Sequence, residues 1–142
     1  MHTQYYTDGS VLHLFGCGGY AAIRMDEGGL FDHEHAITGS MQSRDVQEME
    51  LRAVIAAARS APKKDKITIY TDHKAISDAM SRPTRAKVEK NQNSKLWYQL
   101  RQLCTTRDIT VRWVKGHSGD PGNSAADRLA RAAAKSLKIL LN

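Results

Sequence analysis

Two aspartates follow the same tyrosine–threonine pair at widely separated places in the chain. The segment "YYTDGS" near the start contains Asp8, and "IYTDHKAI" contains Asp72 in the same context. Each follows a strand-like run, so a turn residue at Asp8 or a helix cap at Asp72 would explain either one alone. If the two strands are neighbours, however, they deliver two carboxylates to one place, where acid-dependent chemistry becomes possible.

A third carboxylate stands out on "DVQEMELRAVIAAARSA", which is the clearest predicted helix because Ala, Leu, Met, Glu and Arg favour helices. The residues three, four and seven positions from Glu50 are apolar: Val46, Ala53, Val54 and Ala57. A glutamate on such a buried stripe is rare without a partner. Glu48 instead shares its face with Arg52, which predicts a solvent-facing ion pair. Glu50 is therefore the candidate of the two glutamates.

The segment "WVKGHSGDPGNSAADRLARAAA" reads as a strand, a glycine-flanked loop and a helix. Its glycines allow the loop backbone to approach a ligand, and His117 lies between them. A histidine on such a loop beside clustered acids could shuttle protons. Asp127 falls in the first turns of the helix, where its charge also complements the helix dipole. The local context leaves both a structural and a functional role open for Asp127.

The elements that must position these groups are predicted in the order β-β-β-α-β-α-α-β-α. Strands are predicted at "TQYYTDGS", on both sides of the turn in "GGYAAIRMDEGGLFDHEHAI", at "KITIYTD" and at "DITVRWVKG". The last of these alternates so that Val111 and Trp113 share one face. A hairpin followed by alternating helices and strands indicates a mixed sheet covered by helices. The first and fourth strands are expected to be parallel neighbours, which brings Asp8 and Asp72 together at their carboxyl ends.

The composition is that of a single globular domain, with 142 residues, 41% hydrophobic and 25% charged. No apolar run approaches the roughly 18 residues of a membrane span, and the N-terminus lacks signal-peptide features, so a cytoplasmic, intracellular location is expected. Cys17 and Cys104 are far apart, which argues against a disulfide framework. Lys plus Arg number 21 against 15 Asp plus Glu, a net charge of +6. Such a basic protein favours a polyanionic partner such as nucleic acid.

Together, "YTDGS", "EMELRAV", "IYTDHKAI" and "WVKGHSGDPGNSAADRLARAAA" resemble ribonuclease H of type 1, in the short form without the basic-handle insertion. The resemblance covers about residues 4–136 and implies a single ribonuclease H domain over 1–142, with a short C-terminal tail at 137–142. It implies an α/β fold with a five-stranded mixed sheet, the first three strands antiparallel and the others parallel to strand 1, flanked by helices. The family's four acids fall on Asp8, Glu50, Asp72 and Asp127, and its loop histidine on His117.

The resemblance implies an endoribonuclease that hydrolyses the RNA strand of RNA–DNA hybrids and leaves 5′-phosphate and 3′-hydroxyl ends. Four carboxylates in one cleft repel each other unless cations are bound. Two Mg²⁺ ions about 3.5–4 Å apart, or Mn²⁺ as a substitute, would relieve this repulsion and activate the attacking water. Asp8 is expected to bridge both ions, and His117 to assist proton transfer or product departure. The protein is expected to be a monomer with no obligate protein partner and no membrane association.

Two other functions are compatible with the same fold. One is a hybrid-binding module with weak or no catalysis; loss of one acid would mark it, and none of the four is lost. The other is a related nuclease that acts on DNA, and the spacing from His117 to Asp127 favours type 1 over it. Cleavage of a hybrid compared with cleavage of an all-DNA duplex would distinguish these functions.

The resemblance also implies contacts with the hybrid, whose RNA strand is recognised by its 2′-hydroxyls in the minor groove. The expected substrate-binding residues are Gly9, Ser10, Gln47, Lys74 and Asn93. Two neighbours of Gln47 depart from the family pattern. Val46 stands where an asparagine is common, and Asp45 stands where a phosphate-contacting threonine is frequent. An acid beside a phosphate is unfavourable, so Asp45 is expected to weaken the phosphate pocket to which Asn93 belongs.

Two further segments depart from the family. Leu14 and Phe15 stand in the first loop where many members have Asn-Pro, and we expect them to fold inward. The stretch 72–97 is too short for the basic handle, and "SRPTRAKVEKNQNSK" is expected to supply part of its charge. The basic residues of this segment are Arg82, Arg85, Lys87, Lys90 and Lys95. We therefore expect weaker hybrid affinity that falls steeply with salt.

Overall fold

The computed structural model of the protein describes residues 1–81 and 92–141. Within these ranges the elements follow the predicted order. They are β1 (His2–Leu12), β2 (Cys17–Met25), β3 (Ile37–Gln42), α1 (Val46–Ser60), β4 (Lys66–Thr71), α2 (Lys74–Ser81), α3 (Ser94–Thr106), β5 (Ile109–Trp113) and α4 (Pro121–Leu141). Of the basic segment singled out in the sequence, Arg82, Arg85, Lys87 and Lys90 lie outside the described residues.

The five strands form one mixed sheet in the order β3-β2-β1-β4-β5. The first three strands pair antiparallel, whereas β4 runs parallel to both β1 and β5. Parallel neighbours cannot be joined by a tight turn, so the chain crosses over through α1 before β4 and through the stretch containing α2 and α3 before β5. The predicted fold class, with its strand directions, is confirmed.

Helices cover the sheet on both sides, as the alternation along β1 shows. Tyr5 is buried in one cluster with Leu51 of α1 and Trp97 of α3. Tyr6 belongs to the other cluster, with Ile23 of β2 and Ala126 of α4. The sheet therefore lies between α1 and α3 on one face and α4 on the other, an arrangement that lets both α1 and α4 supply side chains to its edge.

The return strand of the predicted β2–β3 hairpin begins later than expected. The turn "DEGG" forms, but beyond it Met25 makes only an isolated bridge to Phe31. Asp32 accepts hydrogen bonds from the backbone N–H of His35 at 3.1 Å and from its imidazole at 3.0 Å. Such local side-chain hydrogen bonds compete with strand pairing. Regular pairing therefore resumes only at Ile37.

The prediction that Leu14 and Phe15 fold inward is wrong. The side chain of Leu14 is 88% exposed and that of Phe15 is 48% exposed. Arg44 donates from Nε to the carbonyl of His13 at 2.9 Å, and the ammonium of Lys138 lies 4.0 Å from the centroid of the Phe15 ring. A charge-assisted hydrogen bond and a cation–π contact thus hold the loop at the surface.

Three smaller points complete the fold. Helix α4 continues to Leu141, so residues 137–141, which the sequence suggested as a tail, are helical. Cys17 and Cys104 form no disulfide. No helix within residues 1–81 or 92–141 is both long and apolar enough to cross a lipid bilayer.

Candidate active site

The two Tyr-Thr-Asp segments lie side by side in the sheet. The parallel pairing of β1 with β4 ends where Tyr6 faces Tyr70. Their rings stack with centroids 4.6 Å apart and planes 17° from parallel, and Thr7 Oγ1 donates to the carbonyl of Tyr70 at 2.8 Å. Asp8 and Asp72 each lie two residues beyond this last pair. In-register pairing therefore brings both carboxylates to one edge of the sheet.

Asp8 lies inside β1, whereas the sequence suggested that it ends a strand. β1 continues to Leu12 in its pairing with β2, and Asp8 faces Ala21 across that ladder. β4 has already ended at Thr71, so the cleft opens where β1 continues without β4 beside it. Asp8 is only 3% exposed. The ladder to β2 holds its backbone, so its carboxylate has a fixed position at the base of the cleft.

Helix α1 contacts β1 at Gly9, and this contact places Glu50 beside Asp8. A Cβ at Gly9 would lie 2.5 Å from the backbone nitrogen of Glu50 and 2.6 Å from the carbonyl carbon of Met49. Only glycine allows two backbones to approach so closely. Glu50 is 5% exposed, which confirms the burial that its apolar stripe predicted. Its Oε1 atom is buried and has no hydrogen-bond partner among the described residues.

Glu48, two residues earlier on α1, forms the ion pair with Arg52 that the sequence predicted, but the pair is half-buried instead of solvent-facing. Its Oε2 accepts from Arg52 Nη2 at 3.0 Å, one helical turn away. Its Oε1 accepts from the hydroxyl of Ser43 at 2.7 Å. The helical periodicity thus correctly separated the buried Glu50 from its paired neighbour.

Asp8, Glu50 and Asp72 form a compact acidic group in which one carboxylate oxygen of each lies within 4.8 Å of the others. Burial raises the pKa of Asp8 to about 8, and the charge of Asp72 contributes further. Burial also raises the pKa of Glu50 well above its usual value, with the charges of Asp8 and Asp72 as additional causes. Cations bound beside these carboxylates would compensate their charge and favour the ionised forms of Asp8 and Glu50. The oxygen donors and the unpartnered Oε1 of Glu50 fit a hard divalent cation such as Mg²⁺.

Asp127, on α4, lines the same cleft as the three clustered acids. Asp127 is one of the lesser causes of the raised pKa of Asp8, after burial and Asp72, but it does not belong to the tight group of three. Arg131, one turn later on α4, donates from Nε to Asp127 Oδ1 at 3.1 Å. The four predicted acids therefore meet in one cleft, with the fourth beside the others and paired with a cation.

His117 reaches the rim of this cleft from the loop between β5 and α4. The loop packs closely on the acidic group, because a Cβ at Gly116 would lie 2.7 Å from Asp72 Oδ2. His117 is exposed and has a φ of 57°, a left-handed conformation that few residues other than glycine adopt. The turn thus places His117 at the rim of the acidic cleft while leaving its side chain open to solvent.

Trp113 shares one face of β5 with Val111 by alternation, but Trp113 is 46% exposed whereas Val111 is buried. It ends the strand and donates from its indole Nε1 to the backbone carbonyl of Asp72 at 3.2 Å. The ammonium of Lys74 lies 5.6 Å from the centroid of its ring. Sequence alternation alone did not reveal this contact, which stabilises the backbone at Asp72.

Arg131 and Lys135 also line the cleft and were not among the candidates from the sequence. They lie four and eight residues after Asp127, so all three side chains project from one face of α4. That spacing is the signal that could have identified them. They place two positive charges beside the acidic group.

The expected substrate-binding residues fall in three places. Gly9 and Ser10 line the cleft itself. Lys74 lies beside Trp113 at the start of α2. Gln47 and Asn93 meet at the start of α1, where Asn93 Nδ2 donates to Gln47 Oε1 at 3.3 Å. Their contacts with a substrate stay predictions.

A protein-family model described as RNase H matches residues 1–135 of the chain. Ribonuclease H of Zymomonas mobilis subsp. mobilis is 38% identical over 141 residues, covering 92% of this chain and 87% of the relative. Ribonuclease H of Francisella philomiragia subsp. philomiragia is 38% identical over 138 residues, covering 90% of this chain and 88% of the relative.

Among solved structures, the chain is similar to the N-terminal RNase H domain of a Mycobacterium tuberculosis protein, determined as a fusion with maltose-binding protein. The TM-score is 0.79, and the match covers 99% of each chain. Because the sequences are only 22% identical, this similarity concerns the fold.

Proposed function

The chain belongs to the ribonuclease H family of hydrolases, and we propose that it is an endoribonuclease that hydrolyses the RNA strand of RNA–DNA hybrids. The observation that carries this proposal is the convergence of Asp8, Glu50 and Asp72 within 4.8 Å in an open cleft. The net charge of +6 is consistent with a polyanionic substrate.

The proposed cofactor is Mg²⁺, bound as two ions, with Mn²⁺ as a substitute. Asp8, Glu50 and Asp72 would hold it through their clustered carboxylate oxygens, and Asp127 would extend the set. When bound, such cations neutralise the carboxylates, activate a water and stabilise the leaving 3′-oxygen. The products would then carry 5′-phosphate and 3′-hydroxyl ends.

The contribution of the chain itself is to hold the donor atoms in place before substrate arrives. The β2 ladder holds Asp8, and the close contact at Gly9 holds Glu50. Arg131 compensates the charge of Asp127 on the α4 side. His117, on its exposed turn, would accept or deliver a proton at the cleft rim.

Substrate contacts are proposed at the sites around the cleft. Gly9 and Ser10 would lie against the scissile region, because they line the cleft beside Asp8. Lys74 would contact a phosphate from the α2 side, and Gln47 would contact the hybrid at the start of α1, where the amide of Asn93 already donates to Asp45. The expected monomeric state and cytoplasmic location stay predictions.

A cleavage assay tests the proposal. A hybrid with an end-labelled RNA strand is expected to be cut internally in Mg²⁺, whereas an all-DNA duplex and an all-RNA duplex stay intact. Intact RNA in both Mg²⁺ and Mn²⁺ with binding retained would favour the non-catalytic module, and cleavage of the all-DNA duplex would favour a DNA nuclease. Treating the products with phosphatase would show whether their new 5′ ends carry a phosphate.

Replacing His117 by asparagine is expected to lower the cleavage rate by roughly 100-fold without abolishing it, because a positioned proton carrier assists the reaction but does not hold the acids in place. Asparagine tolerates the left-handed backbone, so the turn should persist. His33→Asn, at an exposed histidine before β3, is the matched control and should keep full activity. A His117→Asn rate equal to wild type would show that His117 carries no proton in the slow step.

A further inference from the structure

The carboxylate of Asp45, which precedes α1, is held by side-chain amides from a distant part of the chain. Its Oδ2 accepts from Gln92 Nε2 at 2.7 Å and from Asn93 Nδ2 at 2.9 Å. Its Oδ1 accepts from the backbone N–H of Glu48 at 3.3 Å, which caps the first turn of α1. Three N–H donors from two elements thus converge on one anion.

The hydrogen bonds keep this carboxylate ionised. Partial burial alone would raise the pKa of Asp45, but the hydrogen bonds from Asn93, Glu48 and Gln92 outweigh it and lower the pKa. Side-chain amides and backbone N–H groups that converge on an anion are also the donors with which proteins hold nucleic-acid phosphates. The donors around Asp45 are therefore an anion cradle filled by a carboxylate of the protein itself.

The cradle borders the acidic cleft. Val46, the residue after Asp45 in the chain, lines that cleft together with Glu50 and Asp72. On the other side, Gln92 and Asn93 line a groove between α1 and α3. The basic residues of that groove are Arg52, Arg59 and Lys95. A polyanion that extends from the acidic cleft toward these cations would pass the cradle.

We propose that Asp45 is a built-in anion that occupies this cradle and keeps a backbone phosphate of the hybrid out of it. This inference rests on the proposed function only in taking the polyanion to be an RNA–DNA hybrid; the cradle itself does not depend on that function. With the carboxylate in place, a phosphate meets a negative charge and finds the amides engaged. Without that charge, the same amides together with the nearby cations bind one phosphate.

Asp45→Asn tests the inference, because asparagine caps helices as well as aspartate does while removing the charge. Hybrid binding is measured by fluorescence anisotropy in a Glu50→Gln background, which prevents cleavage. Asp45→Asn is expected to bind roughly tenfold more tightly at 0.15 M salt, and the slope of log K against log salt should steepen by about one unit, as one added phosphate contact requires. Glu27→Gln, at an exposed acid on the β2–β3 turn, makes the same change in net charge and should give neither effect.

A second substitution separates the cradle from general electrostatics. Gln92 is exposed, so Gln92→Ala should not affect folding. In the Glu50→Gln protein that keeps Asp45, the side-chain amide of Gln92 is already bound to Asp45, so Gln92→Ala is expected to change hybrid affinity less than twofold. In the protein that also carries Asp45→Asn, Gln92→Ala should remove most of the increase in hybrid affinity. A gain that survives Gln92→Ala, or that Glu27→Gln reproduces, would overturn the inference.

Inorganic phosphate provides a readout independent of nuclease function. In Asp45→Asn, phosphate is expected to shift the side-chain amide NMR signals of Gln92 and Asn93 in a saturable way, and in wild type it should leave them unchanged. Unmoved amide signals in Asp45→Asn would reject the cradle even if hybrids are cleaved. Shifted signals in a protein that cleaves no hybrid would instead reject the proposed function and leave the cradle standing.

Discussion

Replacing Glu50 by glutamine is expected to lower the rate of hybrid cleavage by about a thousandfold or more. Glutamine keeps the size of the side chain but removes the negative charge that the acidic group offers to a divalent cation. Metal ions supply several kcal/mol of transition-state stabilisation in such reactions, and roughly 4 kcal/mol corresponds to a factor of about 1,000. The measurement is the initial rate on a hybrid with labelled RNA at saturating Mg²⁺.

The chain offers a matched control for this substitution on the same helix. Glu48→Gln makes the same chemical change two residues away, where the carboxylate pairs with Arg52 outside the acidic group. Exposed pairs contribute roughly 0–1 kcal/mol, and this pair is half-buried, so the variant should keep its activity within a few-fold and lose only a small part of its stability. If both variants lose activity equally, Glu50 has no special place in the reaction.

The metal-free protein is expected to lose stability as the pH rises from about 4 to about 8, and Asp8→Asn should abolish much of this loss. A carboxyl group with a raised pKa binds more protons in the folded than in the unfolded state between its two pKa values. The free energy of unfolding therefore falls with rising pH across that window. For Asp8 the window extends from 3.8, its ordinary value, to about 8.

The limits of this window fix the size of the effect. Below about pH 4 the carboxyl group of Asp8 is protonated in both the folded and the unfolded state and does not lower the free energy of unfolding. Above about pH 8 it lowers that free energy by its full amount, on the order of several kcal/mol at about 1.4 kcal/mol per pKa unit. The raised pKa of Glu50 acts in the same direction. This decrease in the free energy of unfolding arises because the fold keeps its acidic side chains buried and close together.

Urea unfolding of wild type and Asp8→Asn, in a chelator at pH 5 and pH 9, measures this penalty. Asp8→Asn should be the more stable protein, and by more at pH 9 than at pH 5. Asp78→Asn, on α2 and outside the acidic group, should behave like wild type at both values. Adding Mg²⁺ should restore stability to wild type more than to Asp8→Asn, because bound cations stabilise the folded state. A pH-independent difference between the two proteins would contradict the assigned electrostatics.

Local patterns in the sequence were sufficient for the main features of the site. Strand-like runs before both Tyr-Thr-Asp segments predicted parallel neighbours, and the register now places Asp8 and Asp72 at equivalent positions beyond the last pair. Helical periodicity separated Glu50 from Glu48, because burial of one helix face is a local property of the chain. The Glu50 prediction succeeded because it depends on spacing along a single element, and the strand pairing followed from the order of helices and strands along the chain.

Predictions that depended on the end of an element were less reliable. Trp113 shares the alternation of Val111 but lies at the last position of β5, where it contacts the backbone of Asp72 instead of the core. Leu14 and Phe15 were expected inside, yet cationic side chains from α4 and from the segment before α1 hold their loop outside. Alternation and hydrophobicity in the sequence indicate which side chains tend to be buried, but they do not indicate which residues from other elements will contact them.

By itself, the sequence determined the mixed sheet, the acids and the buried helix face that presents Glu50. Only the tertiary structure decided that the three acids converge within 4.8 Å, that Arg131 pairs with Asp127, and that Gln92 and Asn93 engage Asp45. The physical reason is that periodicity follows from the geometry of one element, whereas distances between carboxylates and the partners of a polar group depend on how separate elements pack. Asp45 illustrates the difference, because its departure from the family pattern was visible in the sequence but the donors that hold it were not.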